Sequence, residues 1–324
     1  MRFVIAGAGA IGAYIGACLS RAGFQVTLFA RGSHLRAMQE RGVQVRAREG
    51  DFEVRPRIVG SLLEAGPADV LVLGVKAHSL PEFAPQVKAV LSPDTTVLST
   101  QNGVPWWFFQ GFGGRWEGTR LERVDPGGSI SRVIQPKHIL GSIVYFSTEI
   151  TMPGVIQHID GNRISLGELD GTRSDRGRRI AQALISSGLK APITTRIRHE
   201  IWVKLLGNVA FNPVSALTGC TLVEMTRDPE LSQVIREIMK EVQAVGAKLG
   251  LELPVSIEQR TAGAEKVGEH KTSMLQDLER GRPLELEAVV GAVIELADRM
   301  GVPVPHTQAV YAFTKALSRK RQRS

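Results

Sequence analysis

The sequence predicts an alternating α/β domain built on a doubly wound parallel sheet, followed by a domain made only of helices. Three observations carry this. A short apolar strand, MRFVIA, runs directly into GAGAIG at residues 7–12. A small, apolar helix at 13–22 and a second apolar run at 24–30 complete a strand–helix–strand unit of about 30 residues, the span of a Rossmann-type unit. From about Arg196 onward the apolar spacing adopts the helical period and keeps it.

Each glycine of the first turn has a mechanical task. Gly7 makes the tight turn out of the strand, Gly9 lets backbone approach a pyrophosphate, and Gly12 lets the helix pack close on the sheet. Ala8, Ala10 and Ile11 complete the loop, and phosphate would rest on the helix N-terminus, held by N–H groups and the helix dipole. At the tip of the second strand, where a carboxylate would accept bonds from a ribose 2′-hydroxyl, stands Arg31. A guanidinium cannot accept those bonds but pairs with a 2′-phosphate, so the expected cofactor is NADP(H) rather than NAD(H) or FAD.

The remaining elements follow in order. Residues 33–42 read as a helix, 43–59 as short strands in a hairpin-like excursion, and 68–75 as a buried strand ending at Lys76. A helix at 80–91 leads to a strand at 95–99, which delivers Gln101-Asn102-Gly103 to the carboxyl edge of the sheet, where ligands gather. Strands at 139–146 and 164–166 and a helix at 175–187 close the domain. Helices are expected at 197–218, 228–249, 253–264, 273–277, 284–300 and 306–318, with the boundary near Ala191-Pro192: a nucleotide-binding domain over 1–193 and a helical domain over 194–324.

Composition narrows the functional classes. A chain of 324 residues with 43% hydrophobic and 22% charged residues has the make-up of a globular protein large enough for about two domains. No apolar run approaches the roughly 18 residues a membrane span needs, and the N-terminus lacks a secretory pattern, so a cytoplasmic protein is expected. Cys18 and Cys220 make no metal-ligand spacing and read as small core residues. The net charge of +8 is scattered, except for the terminal SRKRQRS, read as a frayed solvated tail. That argues against nucleic acid as a partner; a small-molecule substrate and a homodimer are expected.

The most unusual helix is IWVKLLGNVAFNPVSALTG, residues 201–219. Lys204, Asn208 and Asn212 recur every four residues along one stripe, while most of the circumference is apolar. A buried amine beside two carboxamides needs partners or a function; the competing reading is a solvent-facing stripe. Downstream, Ser273 and Glu285 flank a turn at Gly281–Pro283 and could share a cleft, although caps and solvated charges have the same appearance.

Taken together, GAGAIG at 7–12, Arg31, Lys76, QNG at 101–103, the K-x3-N-x3-N helix at 204–212 and SMLQD…E at 273–285 resemble the ketopantoate reductase (2-dehydropantoate 2-reductase) family, in family order over the whole chain. The resemblance implies NADPH-dependent reduction of a 2-oxo acid, ketopantoate to pantoate. It implies that Arg31 holds the 2′-phosphate, and that Lys76 and Asn102 contact the nicotinamide ribose and help position substrate. It further implies that Lys204 is the general acid, that Asn208 and Asn212 bind the substrate oxygens, that Ser273 binds its carboxylate, and that Glu285 supports the network. No metal is expected.

The chain departs from the family pattern after Gly103, where a short polar helix is usual and PWWFFQGFGGRWEGTRLERVDPGGS stands instead. Trp106, Trp107, Phe108, Phe109, Phe112 and Trp116 read equally as a surface hairpin packed on its own domain or as a cleft wall, lid or dimer contact. The second reading admits a bulkier 2-oxo acid. Two further alternatives are a dehydrogenase of a 3-hydroxy acid or polyol phosphate, and an NADP(H)-sensing regulator without catalysis.

Overall fold

The computed structural model describes residues 1–323, which divide into two compact units. The first comprises Met1–Gln101, Trp107–Arg120 and Gly127–Ile197; the second comprises Asn102–Trp106, Leu121–Pro126 and the chain from Arg198 onward.

In the first unit the order is β1 (Arg2–Ala6), α1 (Ala10–Arg21), β2 (Gln25–Phe29), α2 (Gly32–Arg41), β3 (Val43–Arg46), β4 (Phe52–Val54), β5 (Arg57–Val59), β6 (Val70–Leu73), α3 (Leu80–Val87), β7 (Thr96–Ser99), β8 (Gly141–Met152), β9 (Val155–Gly167) and α4 (Asp175–Ser186). A parallel five-stranded sheet runs β5-β2-β1-β6-β7, so the chain reverses its direction of travel between β1 and β6. That switch point opens a crevice at the carboxyl ends of the strands. β6 and β7 are buried at every position and read in sequence as unbroken apolar or small runs, as strands covered on both faces must.

A second sheet, β4-β3-β9-β8, lies on the other side of α1. Sandwiched this way, α1 is buried continuously from Gly12 to Leu19, which explains its small, apolar sequence. The excursion expected over 43–59 is a hairpin only in part: β3 pairs antiparallel with β4, whereas β5 joins the main sheet parallel to β2. The strands expected at 139–146 and 164–166 are the buried ends of a much longer hairpin, β8–β9. Its central residues are half-exposed and polar, which hides the strands from a hydrophobicity reading.

The second unit holds α5 (Ile197–Thr218) from Arg198 onward, α6 (Leu222–Arg227), α7 (Pro229–Lys248), α8 (Ile257–Val267), α9 (Ser273–Glu279), α10 (Ala292–Met300) and α11 (Pro305–Arg323). Four of these helix starts are capped: a Thr221/Glu224 capping box begins α6, Asp228 begins α7, a Ser256/Gln259 box begins α8, and Thr272 begins α9. α6 was not anticipated, although its capping box is written in the sequence. α8 starts later than expected, because Ser256 rather than residue 253 meets the free N–H groups. α11 continues through Arg323, so the basic terminus is helical rather than frayed; Ser324 lies outside the described residues. Both cysteines are free, but Cys220 is only half-buried and is not a core residue.

The aromatic segment packs residues 106–109 into the interior, while Phe112 and Trp116 are half-exposed. Trp107, Phe108 and Phe109 are at most 1% exposed, and the Trp107 indole N–H donates to Ser99 Oγ at 2.9 Å. Phe109 packs on Phe108, Phe112 and Trp116, while the Glu117 carboxylate accepts from the Gly111 and Gly113 N–H groups at 2.8 and 2.6 Å.

Candidate functional site

Two constellations matter, one in each unit. In the first, Gly7, Ala8, Gly9, Arg31 and Lys76 line a cleft of about 560 Å³, with His34, Gly74, Val75 and Phe83 among its other walls. These residues follow β1, β2 and β6, adjacent strands at the switch point. Gly7 has φ +111°, and a Cβ there would lie 2.6 Å from the Val75 nitrogen; a Cβ on Gly12 would lie 2.2 Å from the Gly7 carbonyl oxygen. Gly9 by contrast faces open space, with nothing nearer than 3.9 Å to its hypothetical Cβ.

α1 begins with Ala10, Ile11 and Gly12 and has no side-chain cap, so its N-terminal dipole faces this open loop. A dinucleotide fits these features: tight turn, unobstructed backbone and uncapped helix end. The Arg31 guanidinium is exposed and stands 5.2 Å from the Phe29 ring centre and 5.7 Å from that of Phe83. Gln101 clamps the wall, its amide donating to the Leu73 and Val75 carbonyls at 3.0 and 2.7 Å.

In the helical unit, the Lys204 ammonium donates to Asn102 Oδ1 at 2.8 Å across 102 residues of sequence. Burial pulls Lys204 down from the ordinary lysine range to about 8; Glu285 opposes the fall and Arg260 adds to it. The solvent-facing stripe does not exist: Asn212 is buried, Lys204 and Asn208 are half-buried, and α5 is enclosed on nearly all sides up to Ala216.

Asn102 is held by backbone geometry. Gly103 takes φ +93°, where a Cβ would lie 2.3 Å from the Ala288 carbonyl oxygen, and the Val104 N–H donates to that same oxygen at 2.9 Å. Ala288 belongs to a π-helical turn, Glu287–Gly291, that leads into α10. Glu285, expected inside this helix, precedes it; its carbonyl accepts from the Val289 N–H. The turn is braced by Glu287, which takes Arg123 at 2.8 Å, Tyr311 at 2.8 Å and Lys315 at 2.9 Å.

Ser273 is the exposed first residue of α9. Lys204, Asn102, Glu285 and Arg260 form one electrostatic group. Sequence reasoning placed Gln101 at the ligand edge within QNG but gave it no role of its own, and it missed Gly74, His34 and Arg260. Gly74 sat in a strand already singled out, but nothing in the pattern of α8 marks Arg260. No cluster of potential metal ligands occurs among the described residues, and none of their helices is long and apolar enough to cross a membrane.

A switch-point sheet with a glycine-lined cleft, followed by a helical unit carrying a lysine of lowered pKa, defines an oxidoreductase of the Rossmann-plus-helical class. Models of the ketopantoate reductase PanE/ApbA family match residues 3–105, and those of its C-terminal domain match 196–318. A 2-dehydropantoate 2-reductase from Mesorhizobium japonicum is 46% identical over 323 residues, 99% of each chain.

Among solved structures, a candidate ketopantoate reductase from Ralstonia solanacearum MolK2 is 37% identical with a TM-score of 0.94, covering 99% of this chain and 98% of that one. The 2-dehydropantoate 2-reductase of Methylococcus capsulatus is 28% identical with a TM-score of 0.84, covering 100% and 99%. The chain belongs to the ketopantoate reductase family.

Proposed function

We propose that this protein reduces ketopantoate to pantoate using NADPH, with Lys204 as general acid. The observation that carries the reading is the Lys204–Asn102 hydrogen bond at 2.8 Å within a partly buried group that also contains Glu285. The nicotinamide cofactor, when bound, supplies the hydride. As negative charge develops on the ketone oxygen, an ammonium stabilises it and then donates a proton. Asn102 takes one of the three Lys204 N–H donors and so sets the direction of the others. A lysine near pKa 8 is still protonated at neutral pH, yet gives up its proton more readily than an ordinary one.

In this reading Arg31 pairs with the 2′-phosphate, the residue 7–12 loop takes the pyrophosphate, and Lys76 meets the nicotinamide ribose. Asn208 and Asn212 offer amide donors and acceptors from the same face of α5, and Ser273 offers a hydroxyl. A bulkier 2-oxo acid is the second reading: Trp107, Phe108 and Phe109 are interior and offer it no wall, whereas Phe112 and Trp116 of the same segment are half-exposed.

The test is NADPH oxidation with ketopantoate beside 3-oxo acids. The 2-oxo acid is expected to be preferred, and Lys204→Ala should lower kcat by about 100-fold or more while leaving the NADPH Kd unchanged. Turnover like that of the unmodified enzyme would remove Lys204 from the reaction.

A further inference from the structure

A 2-oxo acid carries a full negative charge one bond from its ketone, and a cation other than the proton donor is the strongest partner a site can offer it. Arg260, on the second turn of α8, meets this need. Its guanidinium lies flat on α5 at Gly207: a Cβ at that position would sit 2.5 Å from one terminal nitrogen, 2.7 Å from Nε and 3.0 Å from Cζ. Gly207 is three residues from Lys204, one helical turn along the same side, and directly precedes Asn208. The absent side chain is thus the space the guanidinium occupies. The group is half-buried and close enough to Lys204 to depress its protonation, with Glu285 as the opposing charge on the same lysine.

We propose that Arg260 is the substrate-carboxylate anchor, seated in the notch left by Gly207 so that the bound acid presents its ketone oxygen to Lys204. This rests on the reading of the chain as a 2-oxo acid reductase. The planar fork of a guanidinium matches a carboxylate with two parallel hydrogen bonds, which the single hydroxyl of Ser273 cannot do. Arg260 also offsets the repulsion between the incoming carboxylate and Glu285. Its permanent charge keeps the anchor constant at any pH where Lys204 titrates.

The test compares the full-length protein with Arg260→Leu, Arg260→Lys and Gly207→Ala, the last displacing the guanidinium without removing its charge. Two readouts are taken: kcat/KM for ketopantoate against its neutral methyl ester, and oxamate affinity of the NADPH-saturated protein by calorimetry. Arg260→Leu should reduce the acid-to-ester preference and the oxamate affinity by about 30-fold, the scale of a lost charge-assisted bond. Arg260→Lys should recover part of each, Gly207→Ala should lose part of each, and the NADPH Kd should stay within twofold.

Equal losses for acid and ester, or oxamate binding within threefold of the unmodified protein, would overturn the anchor. If the unmodified protein fails to reduce ketopantoate, the proposed function falls, and the oxamate measurement still decides the role of Arg260.

Discussion

Lys204 and Arg31 show how differently two cations of one chain are deployed. Lys204 is desolvated, and its folded pKa near 8 lies below the unfolded lysine value, so folding disfavours its proton. With Lys204 as the proposed general acid, reduction needs its protonated form. kcat/KM for the keto acid should therefore be flat below about pH 8 and fall tenfold per unit above it, while the reverse oxidation should rise over the same range. Removing Arg260 should move this limb to higher pH, and Glu285→Gln should move it lower, because the two charges act on Lys204 with opposite sign. The same shift makes the buried ammonium a cost to stability below pH 8 that is relieved as pH rises from there toward the unfolded value.

Arg31, in contrast, is exposed and backed by the faces of Phe29 and Phe83. Arg31→Ala should raise the KM for NADPH far more than that for NADH. Equal effects on the two cofactors would separate Arg31 from the 2′-phosphate.

At the level of elements, the aromatic segment and the π-helical turn each place something by packing rather than by chemistry. Trp107 is completely enclosed, and its indole N–H reaches Ser99 at the end of β7, the strand that leads into Asn102. Trp107→Ala should cost about 3–5 kcal/mol in urea unfolding, the range for a large buried aromatic, with no change in preference among 2-oxo acids. A stability change near zero, or altered substrate preference, would restore the reading of this segment as a cleft wall.

β1, β6, β7 and α5 were legible because continuous burial writes continuous apolar sequence. The β8–β9 hairpin was legible only at its buried ends, since its half-exposed middle carries Ser, Thr, Glu and His. The π-helical turn leaves no sequence period, which is why Glu285 was assigned to a helix that it precedes.

For the whole molecule, a cofactor that binds only the folded state raises stability by mass action. NADPH at 100 times its Kd should add about 2.7 kcal/mol, visible as a rise in the melting temperature of the unit containing β1 to β7, and NADH at the same concentration should give a smaller rise. Identical rises would contradict the preference assigned to Arg31.

The sequence by itself determined the fold class, the glycine turn, the cation at the tip of β2 and the helix bearing Lys204, because each is a local pattern of spacing and residue type. Only the tertiary structure decided that residues 102–106 belong with the helical unit and that Asn102 grips Lys204. It alone placed Arg260 in the notch at Gly207. Those contacts join residues 102 and 53 positions apart, and no periodicity records which distant side chain fills a gap that packing creates.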